Sequence, residues 1–296
     1  MKTALMAASA AAFVLAAFAA DGSSSDAPAE KFRMRPICKQ GYHGSDAPGV
    51  PGNSLAAFKL AWEKGARMIE TDCHMIKGGR IILVHDRKVL ERLSGEQHEP
   101  IKTFTEADVA RIDIGKFVKS EKPVHMPYLE ELFATMPKDA VAQCELCGYS
   151  ETFADTFDAL RAKAGLSETN IVISGAGLNN LADFHRRYPK YRTLWLTSRF
   201  LGAKDRSAAI DKTIAQAKEK GIDIVCPRAL TAKKVGFSPA DAERFRAAGL
   251  EFRVWGVNDA ELFAYAYSLR VPVFTCARWS ESFKWAKDIP GVEVVP

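Results

Sequence analysis

The stretch MIETDCHMIKGGRIILVHD, residues 68–86, contains side chains whose types and spacing could support catalysis. Glu70 and Asp72 stand two residues apart in an apolar run that is typical of a β-strand. Side chains alternate along a strand, so both carboxylates and His74 face the same side. A third carboxylate, Glu145, follows another apolar run in AVAQCELCGY. Three carboxylates at neighbouring strand ends would bind a hard divalent cation through oxygen.

A histidine closes the next apolar run, IILVHD, and could transfer protons beside the same carboxylates. An E-x-D pair by itself is more often an ordinary solvated strand end. The nearby imidazole of His85 favours a site, because histidine titrates near neutral pH and serves as a general acid or base. His98, His125 and His185 lie in loop or helix contexts, and we interpret them as structural or solvent-facing.

Short apolar runs alternate with amphipathic segments along the whole chain, which is typical of repeated βα units. Strands are predicted at 36–42, 67–73, 81–85, 140–146, 170–174, 193–197, 222–226, 252–257 and 271–276. Helical spacing of apolar residues fills most of the intervals, as at Leu55, Phe58 and Trp62. Glycines 65, 165, 221 and 249 are placed to end helices.

This order predicts an α/β fold, a single-domain (β/α)8 TIM-type barrel, with a doubly wound open sheet as the alternative. In such a barrel the functional residues lie at the carboxyl ends of the strands. Glu70, Asp72, His85 and Glu145 all stand at predicted strand ends. We therefore expect them to meet at the barrel mouth.

The first twenty residues, MKTALMAASAAAFVLAAFAA, have the early lysine, short apolar run and small-residue end of a secretory signal peptide. We predict a signal peptide at 1–20, a flexible leader at 21–33 and the barrel at 34–296. The apolar run is shorter than the roughly 20 residues that span a bilayer, so no stable membrane insertion is expected after its removal. The mature protein is predicted to be secreted and most simply periplasmic.

Charge and cysteine content narrow the possible partners. The formal net charge is +5 and the basic residues are scattered, so no nucleic-acid partner is expected. Six cysteines lie in or beside apolar runs and are interpreted as buried thiols. Cys144 and Cys147 form a lone C-x-x-C, which does not complete a tetrahedral zinc site. The sequence carries no signal for the oligomeric state.

The segment HGSDAPGVPGNSLAAFKLAWEKGARMIETDCHMIKGGRIILVHD resembles the N-terminal part of the glycerophosphodiester phosphodiesterase family. The family pattern there runs H-R-G, P-E-N-T-L-A-A-F, G-A-D-x-I-E-x-D-V, T-K-D-G and V-x-x-H-D. Weaker resemblance continues through MPYLEELFATMP, QCELC, VWGVND and VPVFTCARW, so it covers nearly the whole mature chain. The resemblance implies a TIM-type barrel with a metal-dependent phosphodiesterase site.

Carried over by position, the resemblance implies roles for several residues. Glu70, Asp72 and Glu145 match the metal ligands, for Ca²⁺ or Mg²⁺, and His85 matches the second catalytic histidine. His43, eight residues before Pro51, takes the place of the first, with Tyr42 as the alternative match. Trp255, His74 and Asn53 are the predicted substrate-binding residues.

On that alignment the side-chain cations that the family uses around phosphate are missing. The family arginine becomes Gly44 and the family lysine becomes Cys147, while Gly52 and Cys276 replace two further acidic residues. Loss of one preorganised donor typically costs on the order of 2.7 to 4 kcal/mol of transition-state stabilisation. Lys39, Arg228 and Arg278 are candidate replacements.

The predicted function is that of an exported, metal-dependent phosphodiesterase. It would hydrolyse glycerophosphodiesters or related small-molecule phosphodiesters through histidine acid–base catalysis. Two alternatives stay open. One is a catalytically impaired barrel that acts as a binding protein, and the other is a phosphodiesterase of changed specificity.

Overall fold

The structure is a computed structural model that describes residues 30–296. The predicted signal peptide at 1–20 and residues 21–29 of the predicted leader lie outside the described residues. The first strand begins at Phe32, so the last two residues of the predicted leader, Phe32 and Arg33, belong to the folded domain. Among residues 30–296, every helix is too short or too polar to span a bilayer.

A parallel sheet forms the centre of the molecule. The strands are β1 (Phe32–Lys39), β2 (Met68–Met75), β3 (Ile81–Leu83), β4 (Val141–Gly148), β5 (Ile171–Gly175), β6 (Arg192–Leu196), β7 (Ile224–Cys226), β8 (Glu251–Phe252), β9 (Val254–Trp255), β10 (Val273–Cys276) and β11 (Val292–Val294). Nine of them follow the order β8-β7-β6-β5-β4-β2-β1-β10-β9, while β3 pairs with β2 and β11 pairs with β1 outside this order. Since Arg253 alone separates β8 from β9, the two ends of this order meet. The predicted TIM-type barrel is confirmed, in a nearly closed form.

One predicted strand is not a barrel strand. The run at 81–85 shortens to β3, which pairs antiparallel with β2 and lies off the main strand order. The reason is the turn that joins them, where Gly78 and Gly79 both have positive φ, at 98° and 87°. The Ile76 amide donates to the Arg80 carbonyl at 2.9 Å and closes a three-residue loop, in which glycine with positive φ favours a hairpin. His85 consequently lies in the loop after the hairpin, two residues beyond the end of β3.

Helices cover the outside of the barrel. They are α1 (Leu55–Glu63), α2 (Arg87–Ser94), α3 (Glu106–Arg111), α4 (Leu129–Thr135), α5 (Phe153–Lys163), α6 (Leu178–Arg187), α7 (Arg206–Glu219), α8 (Ala229–Lys234), α9 (Pro239–Ala247), α10 (Ala260–Ser268) and α11 (Trp279–Trp285). The predicted apolar spacings correspond to α1, α4, α5, α6 and α10. Glycines 65, 165, 221 and 249 all have positive φ after helices, as their predicted role requires.

Two apolar clusters support the site. The larger joins the outer face of the sheet to the helices and includes Phe58, Phe157 and Phe245, all fully buried. The smaller, which we call the insertion cluster, is built by residues 76–126 between β2 and α4, with Ile82, Leu90 and Ile114 among its members. The insertion cluster anchors the loop that carries His85, because β3 and α2 on either side of that loop both pack into it.

The turn after β1 brings the chain against α1. Gly41 has φ +78°, and a Cβ there would stand 2.7 Å from the carbonyl carbon and 2.8 Å from the oxygen of Ala57. Gly65 has a similar φ of +89°, but a Cβ at that position would point into open space. Both glycines are thus required by the backbone, but Gly41 is required by packing as well.

We expect Gly41→Ala to lower the free energy of unfolding by about 2–5 kcal/mol, since left-handed strain and a backbone clash add together. Gly65→Ala, the matched control, should lose about 1–2 kcal/mol from strain alone. Urea unfolding of both variants measures the difference. Equal losses would show that the approach of Gly41 to α1 is looser than the structure has it.

Candidate active site

The predicted carboxylates meet at the carboxyl ends of adjacent barrel strands. Glu70 and Asp72 lie on β2, and Glu145 lies on β4 directly opposite Asp72 in the parallel register. Glu70 and Asp72 are 3% and 1% exposed, which is unusual for acidic side chains. Asp72 and Glu145 are therefore side by side, while Glu70 lines the same cavity as Glu145 but, in residues 30–296, is not among the ligand groups that lie within 4.8 Å of one another.

Asp72 is fixed in place by amide groups. The side-chain amides of Gln40 and Asn53 each donate to Asp72 Oδ2 at 2.8 Å. Asn53 Oδ1 in turn accepts a hydrogen bond of 2.9 Å from the Thr71 hydroxyl. Asn53 thus orients a carboxylate from a buried position, while Ser54 is the residue that caps α1. The contact of Asn53 with substrate stays a prediction.

Glu70 and Glu145 open onto one cavity of about 240 Å³. Its other lining residues are Lys39, His85, Gln143, Ala176, Leu196, Thr197, Ser198, Trp255 and Thr275. Burial, together with the charges of Asp72 and Glu145, raises the pKa of Glu70 well above its usual range. Burial and Asp72 raise the pKa of Glu145 to about 7. Lys39 lowers the pKa of both carboxyl groups in part, and a bound cation would lower them further.

The donor groups fit a divalent cation. Asp72, Glu145 and Cys147 each place a potential ligand atom within 4.8 Å of the others. Gln143 Oε1, in the same cavity, is a buried acceptor without a hydrogen-bond partner among residues 30–296. Because Asp72 Oδ2 already accepts from Gln40 and Asn53, its Oδ1 is the oxygen left for an ion. Cys147 Sγ lies 3.9 Å from that Oδ1, and the sequence alone did not indicate this contact.

His85 is held by its neighbour in sequence. Its Nδ1 lies 2.6 Å from Asp86 Oδ2, and Asp86 Oδ1 accepts from the Val89 amide at 2.9 Å as the N-cap of α2. Although burial opposes them, the hydrogen bonds from Val89 and His85 lower the pKa of Asp86. The bond at Nδ1 leaves His85 Nε2 available for proton transfer. Asp86 is the last residue of the V-x-x-H-D motif, and the sequence alone did not indicate a role for it.

His43 lies beside, not within, the carboxylate cavity. It lines an adjoining cavity of about 130 Å³, and His85 also lines this cavity. A Cβ at Gly52 would stand 3.0 Å from the His43 ring, so the ring occupies the space beside position 52 that a larger side chain would need. Burial lowers the pKa of His43, and its Nε2 has no hydrogen-bond partner in the described part of the chain. The two predicted catalytic histidines therefore share the cavity of about 130 Å³, and His85 lines the carboxylate cavity as well.

His74 and Trp255 have different positions. His74 Nε2 donates to the His85 backbone carbonyl at 3.2 Å, so the ring supports the His85 loop from behind. Burial lowers the pKa of His74. Trp255 lines the carboxylate cavity, in agreement with its predicted position in the pocket. Substrate contact by either residue stays a prediction.

Comparison with known proteins identifies the family. A family model described as "Glycerophosphoryl diester phosphodiesterase family" matches residues 41–288. The chain belongs to this family. A glycerophosphodiester phosphodiesterase of Caldanaerobacter subterraneus is 35% identical over 106 residues, which are 35% of this chain and 43% of that protein. The alignment thus spans less than half the length of this relative.

Solved structures of the family share the fold. A glycerophosphoryl diester phosphodiesterase from Silicibacter pomeroyi has a TM-score of 0.72 at 18% identity, covering 88% of this chain and 95% of that one. An Oleispira antarctica phosphodiesterase in complex with the product sn-glycerol-3-phosphate has a TM-score of 0.68 at 17% identity, covering 85% and 96%. At these identities the similarity establishes the barrel.

The raised pKa of Glu145 predicts how the stability of the metal-free protein depends on pH. A carboxyl group whose pKa rises from 4.5 to about 7 on folding stabilises the fold below pH 4.5 and loses this contribution as the pH approaches 7. Relative to Glu145→Gln, the free energy of unfolding of the unsubstituted protein should fall by about 3 kcal/mol over that interval.

Urea unfolding of both proteins in EDTA at several pH values measures this difference. Glu99→Gln, at an exposed position, is the matched control and should show no such divergence from the unsubstituted protein. Parallel pH profiles for Glu145→Gln and the unsubstituted protein would contradict the burial of the Glu145 carboxyl group beside Asp72.

Proposed function

We propose that the protein is an exported, divalent-cation-dependent glycerophosphodiester phosphodiesterase. The observation that carries the proposal is the convergence of Glu70, Asp72 and Glu145 at the mouth of a barrel of this family. Carboxylates at adjacent strand ends, two of them buried and Glu145 partly buried, are expected where a cation binds. Export rests on the signal-like sequence of residues 1–20.

Glu70, Asp72 and Glu145 would hold the cation, with Ca²⁺ or Mg²⁺ as the expected ion. When bound, such an ion polarises phosphoryl oxygens and offsets the negative charge of a diester. The hydrogen bonds from Gln40 and Asn53 orient Asp72 before any ion arrives. This second layer of contacts keeps the carboxylate from turning toward solvent.

Proton transfer is assigned to the two histidines. His85 faces the carboxylate cavity, and Asp86 fixes its ring so that Nε2 is available to the reacting oxygens. Burial lowers the pKa of His43 and so favours the neutral ring, which lines the adjoining cavity. One ring would accept the proton of the attacking group, and the other would protonate the leaving alcohol.

The substrate proposed is a small phosphodiester with a glycerol phosphate portion. The Oleispira antarctica relative was solved with sn-glycerol-3-phosphate as its product. The carboxylate cavity of about 240 Å³ supports a small-molecule substrate. Glycerophosphocholine and glycerophosphoethanolamine are therefore the first substrates to assay, with Ca²⁺, Mg²⁺ or EDTA.

A second candidate is a binding protein that retains ligand affinity without turnover. Gly44 and Cys147 stand where the sequence comparison expects phosphate-binding cations, and this favours the candidate. Turnover that EDTA abolishes would exclude it. Saturable binding of sn-glycerol-3-phosphate with no cleavage of either diester would establish it and contradict the enzymatic proposal.

We expect His85→Ala to lower kcat by about 10²–10⁴-fold, because the ring transfers a proton in the rate-determining chemistry. Asp86→Ala should lower kcat by about 10–100-fold through loss of ring orientation. Steady-state hydrolysis of glycerophosphocholine measures both effects.

Asp205→Ala is the matched control for Asp86→Ala. Asp205 caps α7 through the Ala208 amide at 2.9 Å, the same contact and length that Asp86 makes with Val89. Both substitutions should cost about 0.5–2 kcal/mol of stability, but Asp205→Ala should leave kcat unchanged. Equal kcat values for the two variants would show that Asp86 acts only as a helix cap.

A further inference from the structure

Lys39 is the last residue of β1, at the edge of the barrel where the carboxylates lie. It pairs with Glu70 in the parallel register between β1 and β2. The preceding residue, Cys38, packs in the larger apolar cluster, between the sheet and the helices. Because side chains alternate along a strand, the Lys39 side chain points into the barrel mouth.

The Lys39 ammonium lies among the residues of the candidate active site. It lines the carboxylate cavity together with Glu70, Glu145 and His85. Its Nζ is 5.8 Å from the centroid of the Trp255 ring, which is within the range of a cation–π contact. Within residues 30–296, no carboxylate oxygen lies within the 4.0 Å that would make an ion pair with Nζ. The charge is near the site and not neutralised by a direct partner.

The other candidate cations are engaged elsewhere. Arg278 forms an ion pair of 2.6 Å with Glu281. Arg253, which was not a candidate from the sequence, is buried and pairs with Glu251 at 2.5 Å. Arg228 lies over Trp255 with its guanidinium carbon 5.4 Å from the ring centroid, but it is exposed and does not line the carboxylate cavity. Lys39 is the cation among these that faces the cavity.

We propose that Lys39 is the phosphate-binding cation of this site and replaces the two family cations lost at Gly44 and Cys147. Its ammonium would donate to the non-bridging oxygens of the phosphodiester, for which a compact, mobile point charge is well suited. The inference rests on the proposed function and adds the group that binds the phosphate. It also explains how a site without the family arginine and lysine could retain substrate.

The test compares three variants by calorimetric titration with sn-glycerol-3-phosphate in the presence of Ca²⁺. Lys39→Met removes the charge at nearly constant length, Lys39→Arg keeps it, and Arg228→Met removes the other cation over Trp255. Titration with Ca²⁺ alone is a second readout. Hydrolysis of glycerophosphocholine is the third.

We expect Lys39→Met to raise the Kd for sn-glycerol-3-phosphate by about tenfold or more, which is 1.4 kcal/mol. Its kcat/KM should fall about 10²–10³-fold. Ca²⁺ should bind at least as tightly as before, because a repelling charge has been removed. Lys39→Arg should stay within about tenfold of the unsubstituted protein, and Arg228→Met should bind sn-glycerol-3-phosphate normally.

Unchanged affinity of Lys39→Met for sn-glycerol-3-phosphate would overturn the inference. An equal loss in Arg228→Met would overturn it too, since the effect would then be that of general positive charge. Weaker Ca²⁺ binding in Lys39→Met would also overturn it, because the residue would then support the cation site instead of the phosphate. If no diester is hydrolysed at all, the proposed function fails, while the titration with sn-glycerol-3-phosphate still decides the role of Lys39.

Discussion

The repulsion among three carboxylates, of which Glu70 and Asp72 are buried and Glu145 is partly buried, is the constraint on which the candidate site depends. Glu70, Asp72 and Glu145 stand on two adjacent strands, and the parallel register leaves Asp72 and Glu145 side by side. Burying like charges together is unfavourable unless protons or cations compensate them. The raised pKa values of Glu70 and Glu145 express this cost in the metal-free protein. The surrounding amides of Gln40 and Asn53, and the ammonium of Lys39, each reduce part of it.

The barrel positions the carboxylates, and the insertion cluster positions the loop that carries His85. Barrel strands carry the carboxylates, Lys39 and Trp255, so these side chains are fixed by the sheet itself. The insertion cluster instead carries the His85 loop, which the His74 ring and the Asp86 cap of α2 fix from either side. A proton-transfer group placed on a separate small core can adjust without disturbing the ligands of a cation. Sites on strands are the more precise of the two kinds.

Much of this arrangement could be predicted from the sequence because it is local. The alternation in MIETDCHM placed Glu70 and Asp72 on one face, and the βα order predicted the barrel mouth as their meeting point. The hairpin at β3 was missed although its Gly-Gly turn is a recognisable signal, because apolar content alone does not distinguish a hairpin arm from a barrel strand. The contact of Cys147 with Asp72 was not predicted, because only the register of β2 with β4 brings the two side chains together.

His43 and Lys39 show the limit of spacing arguments. Counting back from Pro51 selected His43, but the positive φ values of Gln40 and Gly41, 56° and 78°, turn the chain away after β1. His43 then enters the adjoining cavity, and Lys39 is left facing the carboxylates. Lys39 was one of three cations named from the sequence. Choosing it required the end of β1, the direction of its side chain and the ion pair of Arg278 with Glu281.

Anomalous diffraction from crystals soaked in Mn²⁺ would decide whether the three carboxylates hold a cation, because it locates the ion without requiring turnover. We predict one strong peak at the barrel mouth, within coordination distance of oxygens from Glu70, Asp72 and Glu145. The peak should be lost in Asp72→Asn crystals. A peak bounded by other residues, or no peak at a Mn²⁺ concentration that saturates related carboxylate sites, would contradict the proposed cation site.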